Sequence, residues 1–256
     1  MSDFTPQPGG APFLRQVRAQ AAMEAKLMLR NGEQLLLAIV IPLIVLIGIV
    51  EAAKHLTLHI THRPVDEFTP GVLALAIMST AFTSLAIATG FERRYGVIKR
   101  LGSSPLSRTG LLVGKVAALI LVEVLQIIVV GIVGLILGWS PNTSPTAYLG
   151  ATVTVVLATA AFGSLGLFVA GVLRAEATLA AANLIYLLLM AGGAVVLPTT
   201  SYGAFGHVAK WLPSGALGNG MRNALINGHL DATSLVVLAC WAVVGAALTA
   251  RTFQWE

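Results

Sequence analysis

Six stretches of this chain, each about 20 residues or longer, are apolar and nearly free of charge. They fall at 34–53, 71–91, 111–138, 147–173, 177–197 and 232–250. At a rise of about 1.5 Å per residue, such runs reach across the roughly 30 Å hydrocarbon core of a bilayer. In that medium the backbone must satisfy its own hydrogen bonds, so the runs are expected to be helices. Composition agrees: 56% of residues are hydrophobic and 11% charged, against about a quarter charged in a soluble domain. Mean hydropathy is +0.84. The sequence therefore predicts an all-α integral membrane fold, a single six-span domain over residues 12–256, preceded by a disordered Pro/Gly-rich stretch at 1–11. Lipid is the expected surroundings. The net charge of +5 lacks the aromatic interleaving of a nucleic-acid surface, and no nucleic-acid partner is expected.

An even number of spans puts both termini on one side. With the termini in the cytoplasm, Arg15, Arg18, Lys26, Arg30, Arg93, Arg94, Lys99, Arg100, Arg108, Lys115, Arg174 and Arg251 lie inside, leaving only Lys54, Arg63, Lys210 and Arg222 outside. The positive-inside rule selects that orientation. Residues 12–30 read as an amphipathic helix along the inner membrane surface, with Leu14, Val17, Ala21 and Met28 on its apolar face. Pro42 interrupts the first span and frees a backbone carbonyl, which neighbouring helices must cover. Lys115, just inside span three, is expected to reach back to the interface. Residues 198–231 are too long for a turn and too interrupted to cross, so short helices dipping into the outer leaflet are expected there.

Polar chemistry is sparse. The outer loop from Glu51 to Pro70 carries His55, His59 and His62, which share a helical face with Glu51 at metal-ligand spacing. The same residues alternate with Leu56, Leu58 and Ile60, as in a solvated loop, and that reading is preferred. Within the spans, Glu123 and Gln126 form an i, i+3 pair, as do Asn183 and Tyr186. Two readings stand for these four: they line a translocation path, or they tie helices together by hydrogen bonds. Gly110–Val116 has the wrong glycine spacing for a phosphate-binding loop and no hydroxyl residue after Lys115. No nucleophile elbow or carboxylate pair appears, so the chain is not expected to be an enzyme.

The most charged stretch is Phe91–Lys115, between the second and third apolar runs. Phe91, Tyr95, Ile98 and Leu101 recur at helical spacing, and Gly102-Ser103-Ser104-Pro105 provides a stop. The order Glu92-Arg93-Arg94-x-Gly96, then Lys99-Arg100-Leu101, then Pro105-Leu106-Ser107-Arg108, then Gly114-Lys115 resembles the cytoplasmic segment after the second span in ATP-binding-cassette transporter permeases of the type-two exporter family. The amphipathic start, the interrupted 198–231 segment and the tail Thr252–Glu256 are similar to that family too.

The resemblance implies a coupling helix that docks on a separate cytoplasmic ATPase through Glu92, Arg93, Arg94, Gly96, Arg100, Leu101, Pro105 and Leu106. It also implies a second permease subunit, identical or a sister chain. ATP and magnesium would be held by the ATPase, with no cofactor in this chain. A hydrophobic or amphipathic substrate would be exported through a bacterial plasma membrane by alternating access. An ion-coupled secondary transporter is the alternative, followed by a membrane-embedded lipid-modifying enzyme. One clear intramembrane acid, Glu123, is thin support for the first of these alternatives.

Overall fold

A computed structural model describes residues 11–30, 32–55, 62–102 and 108–252. Among them there is no strand, and the helices are α1 (Phe13–Arg30), α2 (Gly32–Ala52), α3 (Pro64–Met78), α4 (Leu85–Arg94), α5 (Val97–Gly102), α6 (Arg108–Ile136), α7 (Pro145–Val172), α8 (Ala175–Gly192), α9 (Gly206–Ala209), α10 (Pro213–Leu225) and α11 (Ala232–Thr252). A π-helical turn, Ser79–Ser84, joins α3 to α4 without a break, so 64–94 is one run. That run is the axis of the bundle. Phe68, Val72, Leu73, Leu75, Ile77 and Met78 are all buried, with α2, α6, α7, α8 and α10 packed around it and α11 outside against α7.

Among the described residues, five helical runs are long and apolar enough to cross a membrane: Pro64–Arg94, Thr109–Ile136, Pro145–Val172, Ala175–Gly192 and Ala232–Thr252. The apolar stretch Ala38–Ala52 of α2 is shorter. The helix expected from Gly71 starts earlier, at Pro64, with the proline in the first turn where its missing N–H is harmless. Asp66 and Glu67 made this turn read as loop. They sit in the first turn of α3, where acids favour the helix dipole. The span expected to run to Leu197 ends instead at Gly192. Residues 193–196 are buried without being helical, and Ala194 has φ +53.

The amphipathic α1 lies against α6, close enough that a Cβ on Gly114 would sit 2.6 Å from Gln20 Cγ. Its packed face differs from the expected apolar one. Gln20, Glu24 and Ala25 are buried, whereas Leu14 is 73% exposed. The polar residues face the protein because a buried cation on α6 receives them, and Phe13, Leu14 and Leu27 are left exposed.

The kink at Pro42 is covered as its chemistry requires. Proline at 42 cannot donate to the carbonyl of Ala38, four residues earlier. Gln126 on α6 supplies the missing donor, its Nε2 lying 2.8 Å from Ala38 O.

Candidate functional site

At the charged end of the bundle the expected continuous helix from Phe91 to Leu101 is divided. α4 ends at Arg94, Tyr95 and Gly96 turn, and α5 starts at Val97. Gly96 has φ +67, a left-handed conformation that closes a helix and that a side chain would strain. α5 runs to Gly102, and the rest of the expected stop, Ser103 to Pro105, lies outside the described residues. Leu101 lies in its last turn; Pro105 and Leu106 fall outside the described residues.

The residues before this turn face inward. Lys115 is buried, with Nζ 2.7 Å from Glu92 Oε1 and 2.9 Å from Glu24 Oε1, and Gln20 Nε2 donates to Glu24 at 2.8 Å. Lys115, expected from sequence to reach back to the interface, is held within the subunit by two carboxylates, one of them on α1. It joins α1, the end of α4 and the first turns of α6. Arg93 donates through Nη1 to the carbonyls of Ala170 and Gly171, the last turn of α7. Arg94 pairs with Glu176 on α8 and lies 5.8 Å over the Tyr95 ring. Of the expected ATPase-contact residues, then, Glu92 and Arg93 are engaged within the subunit, while Arg94 and Arg100 are exposed.

The four intramembrane polar residues do not converge. Glu123 is 1% exposed, and Thr159 Oγ1 lies 2.8 Å from its Oε2. Gln126 is fully buried and accepts from Thr80 Oγ1 at 2.9 Å, so one side chain joins the Pro42 kink to the π-helical turn. Tyr186 is buried beside that turn, but Asn183 is exposed on α8. Gln126→Leu is expected to leave the Ala38 carbonyl and the Thr80 hydroxyl unpaired, lowering stability by about 2–3 kcal/mol. Adding Pro42→Ala, which restores an N–H for Ala38, should recover part of the loss in the thermal midpoint of the purified protein. A double variant no better than the single one would break this account.

Sequence reasoning missed a second buried cluster at the other end. Arg222 on α10 is 5% exposed and donates through Nη2 to the carbonyls of Val195, at 2.8 Å, and Val196. Glu67 Oε1 lies 3.9 Å from its Nε, and His62 Nδ1 lies 3.2 Å from Glu67 Oε2. Burial pulls the guanidinium down to about 10, against the pull of Glu67, and it stays a cation at neutral pH. The signal available was a single arginine in an otherwise glycine-rich apolar helix, counted only among the outside charges. Of the three loop histidines, His55 is exposed in the turn after α2, His62 holds Glu67, and His59 lies outside the described residues.

A bundle of apolar helices long enough to cross a bilayer, with ion pairs buried near its two ends, defines a multi-pass membrane protein. The family model for ABC-2 type transporters matches residues 15–226, and the chain belongs to that family of transmembrane permeases of ABC transporters. No curated protein matches it.

Proposed function

We propose that this permease exports a hydrophobic or amphipathic substrate, as one of two six-span subunits driven by separate cytoplasmic ATPases. The observation that carries the reading is α5, a six-residue helix set off from the bundle by the left-handed Gly96. The end of α4 that leads into it is anchored twice, by Glu92 on Lys115 of α6 and by Arg93 on the end of α7. A push on α5 by an ATPase that has bound ATP and magnesium would thus reach α1, α6 and α7 together. Arg94, Gly96, Arg100 and Leu101 are assigned to the docking surface. Glu92 and Arg93 are positioning residues behind it. Asn183, the exposed member of the polar four, is assigned to the path; Glu123, Gln126 and Tyr186 serve as interhelical ties.

Leu101→Asp would place a charge in an apolar contact and is expected to weaken docking about tenfold or more. The measurement is retention of the cognate ATPase when the two are co-expressed and purified through the permease. Leu101→Asp and Arg100→Glu should both lose the ATPase while inserting normally. Retention and transport by both variants at wild-type levels would reduce this segment to a topology signal.

The six-span topology, with α2 as the first span and both termini cytoplasmic, is supported by the charge bias. Lys115 and Arg222 are buried and drop out of it; among the remaining cations eleven against three still favour this orientation (12 − 1 and 4 − 1). With Cys240 replaced by Ser, single cysteines at the exposed positions Lys99 and Arg174 should resist an impermeant reagent in intact cells, and those at His55 and Lys210 should react. Labelling at 99 from outside would overturn the topology.

A further inference from the structure

An open cavity of about 450 Å³ lies between the end of α4, the end of α7 and the start of α8. We propose that it is a phosphate site for the headgroup of an anionic phospholipid. Three guanidinium groups, Arg93, Arg94 and Arg174, line it against one carboxylate, Glu176. Arg93 is fixed by the carbonyls of Ala170 and Gly171, and its Nε is buried with no partner among the described residues. Arg94 is held by Glu176. Arg174 is exposed, has no ion-pair partner among the described residues, and occupies the position before α8 with no side chain capping that helix. The N–H groups of the first turn of an 18-residue helix therefore add positive potential to the same place.

Phosphate suits this arrangement. Its oxygens accept from several planar guanidinium forks at once, and the site carries a net charge of two positives before anything binds. The remaining walls are apolar, Val172 and Leu173, and Val172 is 56% exposed at the end of a span. A glycerol backbone and acyl chains would follow that exposed surface, whereas free phosphate would use none of it. Basic pockets between helices on the cytoplasmic side are where anionic headgroups are met. The choice of leaflet rests on the proposed topology; the site itself does not.

The test is lipid binding to the delipidated full-length permease in detergent, followed by native mass spectrometry. Phosphatidylglycerol is the probe, phosphatidylcholine the neutral control and inorganic phosphate the competitor. Phosphatidylglycerol is expected to bind at least about fivefold more tightly than phosphatidylcholine, and Arg174→Gln should remove about fivefold of its affinity. Glu176→Gln, which removes the opposing charge and releases Arg94, should tighten binding. The two exposed substitutions thus move affinity in opposite directions, which a folding defect would not do. Equal affinity for both lipids, or no change in either variant, overturns the site. Full displacement by inorganic phosphate at equal concentration overturns lipid as its source. Release of the lipid when the cognate ATPase binds would assign the cavity to that subunit instead. Lipid selectivity in a permease that retains no ATPase would sink the proposed function and leave this site standing.

Discussion

Lys115→Met is expected to lower the thermal midpoint of the detergent-purified permease by roughly 10 °C, corresponding to about 3–5 kcal/mol. The change keeps most of the apolar stem and removes the ammonium group, with its charge and its hydrogen bonds. What remains is Glu24 and Glu92, both turned toward the space that Nζ occupied, 2.9 and 2.7 Å from them. Glu92 Oε2 is already buried without a partner among the described residues, so it has no second cation to turn to. Two carboxylates sharing a site that water scarcely reaches repel one another and lose their hydration. The loss thus comes from uncompensated charge, and removing that charge should restore stability. Lys115→Met combined with Glu24→Gln and Glu92→Gln is expected to recover most of the midpoint, because a well-packed neutral replacement of a buried ion cluster is often close to neutral. If the triple variant melts as low as Lys115→Met, packing rather than charge is what the lysine supplies. Coupling supplies a second readout. The triple variant should be folded yet poorly coupled, with ATP turnover less responsive to substrate, since α1, α4 and α6 are then joined only by neutral contacts.

The outline of this fold could be read from the sequence because a bilayer imposes a simple rule. Helices α6, α7 and α11 begin and end within a few residues of the apolar runs at 111–138, 147–173 and 232–250. Reading failed where charge is buried. Asp66 and Glu67 look like loop residues until Asp66 is seen to accept from Ser140 N at 2.8 Å and from Arg63, and Glu67 to lie between His62 and Arg222. A one-dimensional pattern does not carry those pairings, which join positions more than 70 and more than 150 residues apart. Hydropathy likewise carried span five through Val195 and Val196, since both are apolar. The helix stops because the chain there turns inward against two glycines, Gly71 and Gly218, whose Cβ atoms would lie 2.5 and 2.6 Å from the carbonyls of Val196 and Val195. Glu123 and Gln126 were visible as intramembrane polar residues. That Gln126 covers Pro42 was visible only in part: the proline announces an uncovered carbonyl, but which helix supplies the donor depends on packing.

Arg222→Met is expected to detach the 193–212 segment from the bundle, with a stability loss of about 3–5 kcal/mol. Residues 193–196, directly after α8, are buried without helical hydrogen bonds of their own, so their carbonyls depend on outside donors. The Arg222 guanidinium bridges two of them, Val195 O and Val196 O, and faces Glu67 as well. Ser214 Oγ holds a third, Gly193 O, at 2.8 Å. Methionine fills the volume and donates nothing, leaving two carbonyls unpaired, each costing about 1–3 kcal/mol, and a carboxylate without its cation. The effect should be local. Hydrogen exchange should rise across 193–212, while α7 and α11, which pack on one another, keep their protection. Arg222→Lys separates charge from reach: an ammonium ion can face Glu67, but it sits one atom nearer the backbone than Nη2, the single nitrogen that bonds both carbonyls. The lysine variant should therefore recover the midpoint in part and the exchange protection hardly at all. Full protection in Arg222→Lys would mean that charge alone holds the segment. Unchanged exchange in Arg222→Met would mean that the close glycine contacts at Gly71 and Gly218 hold it without the arginine.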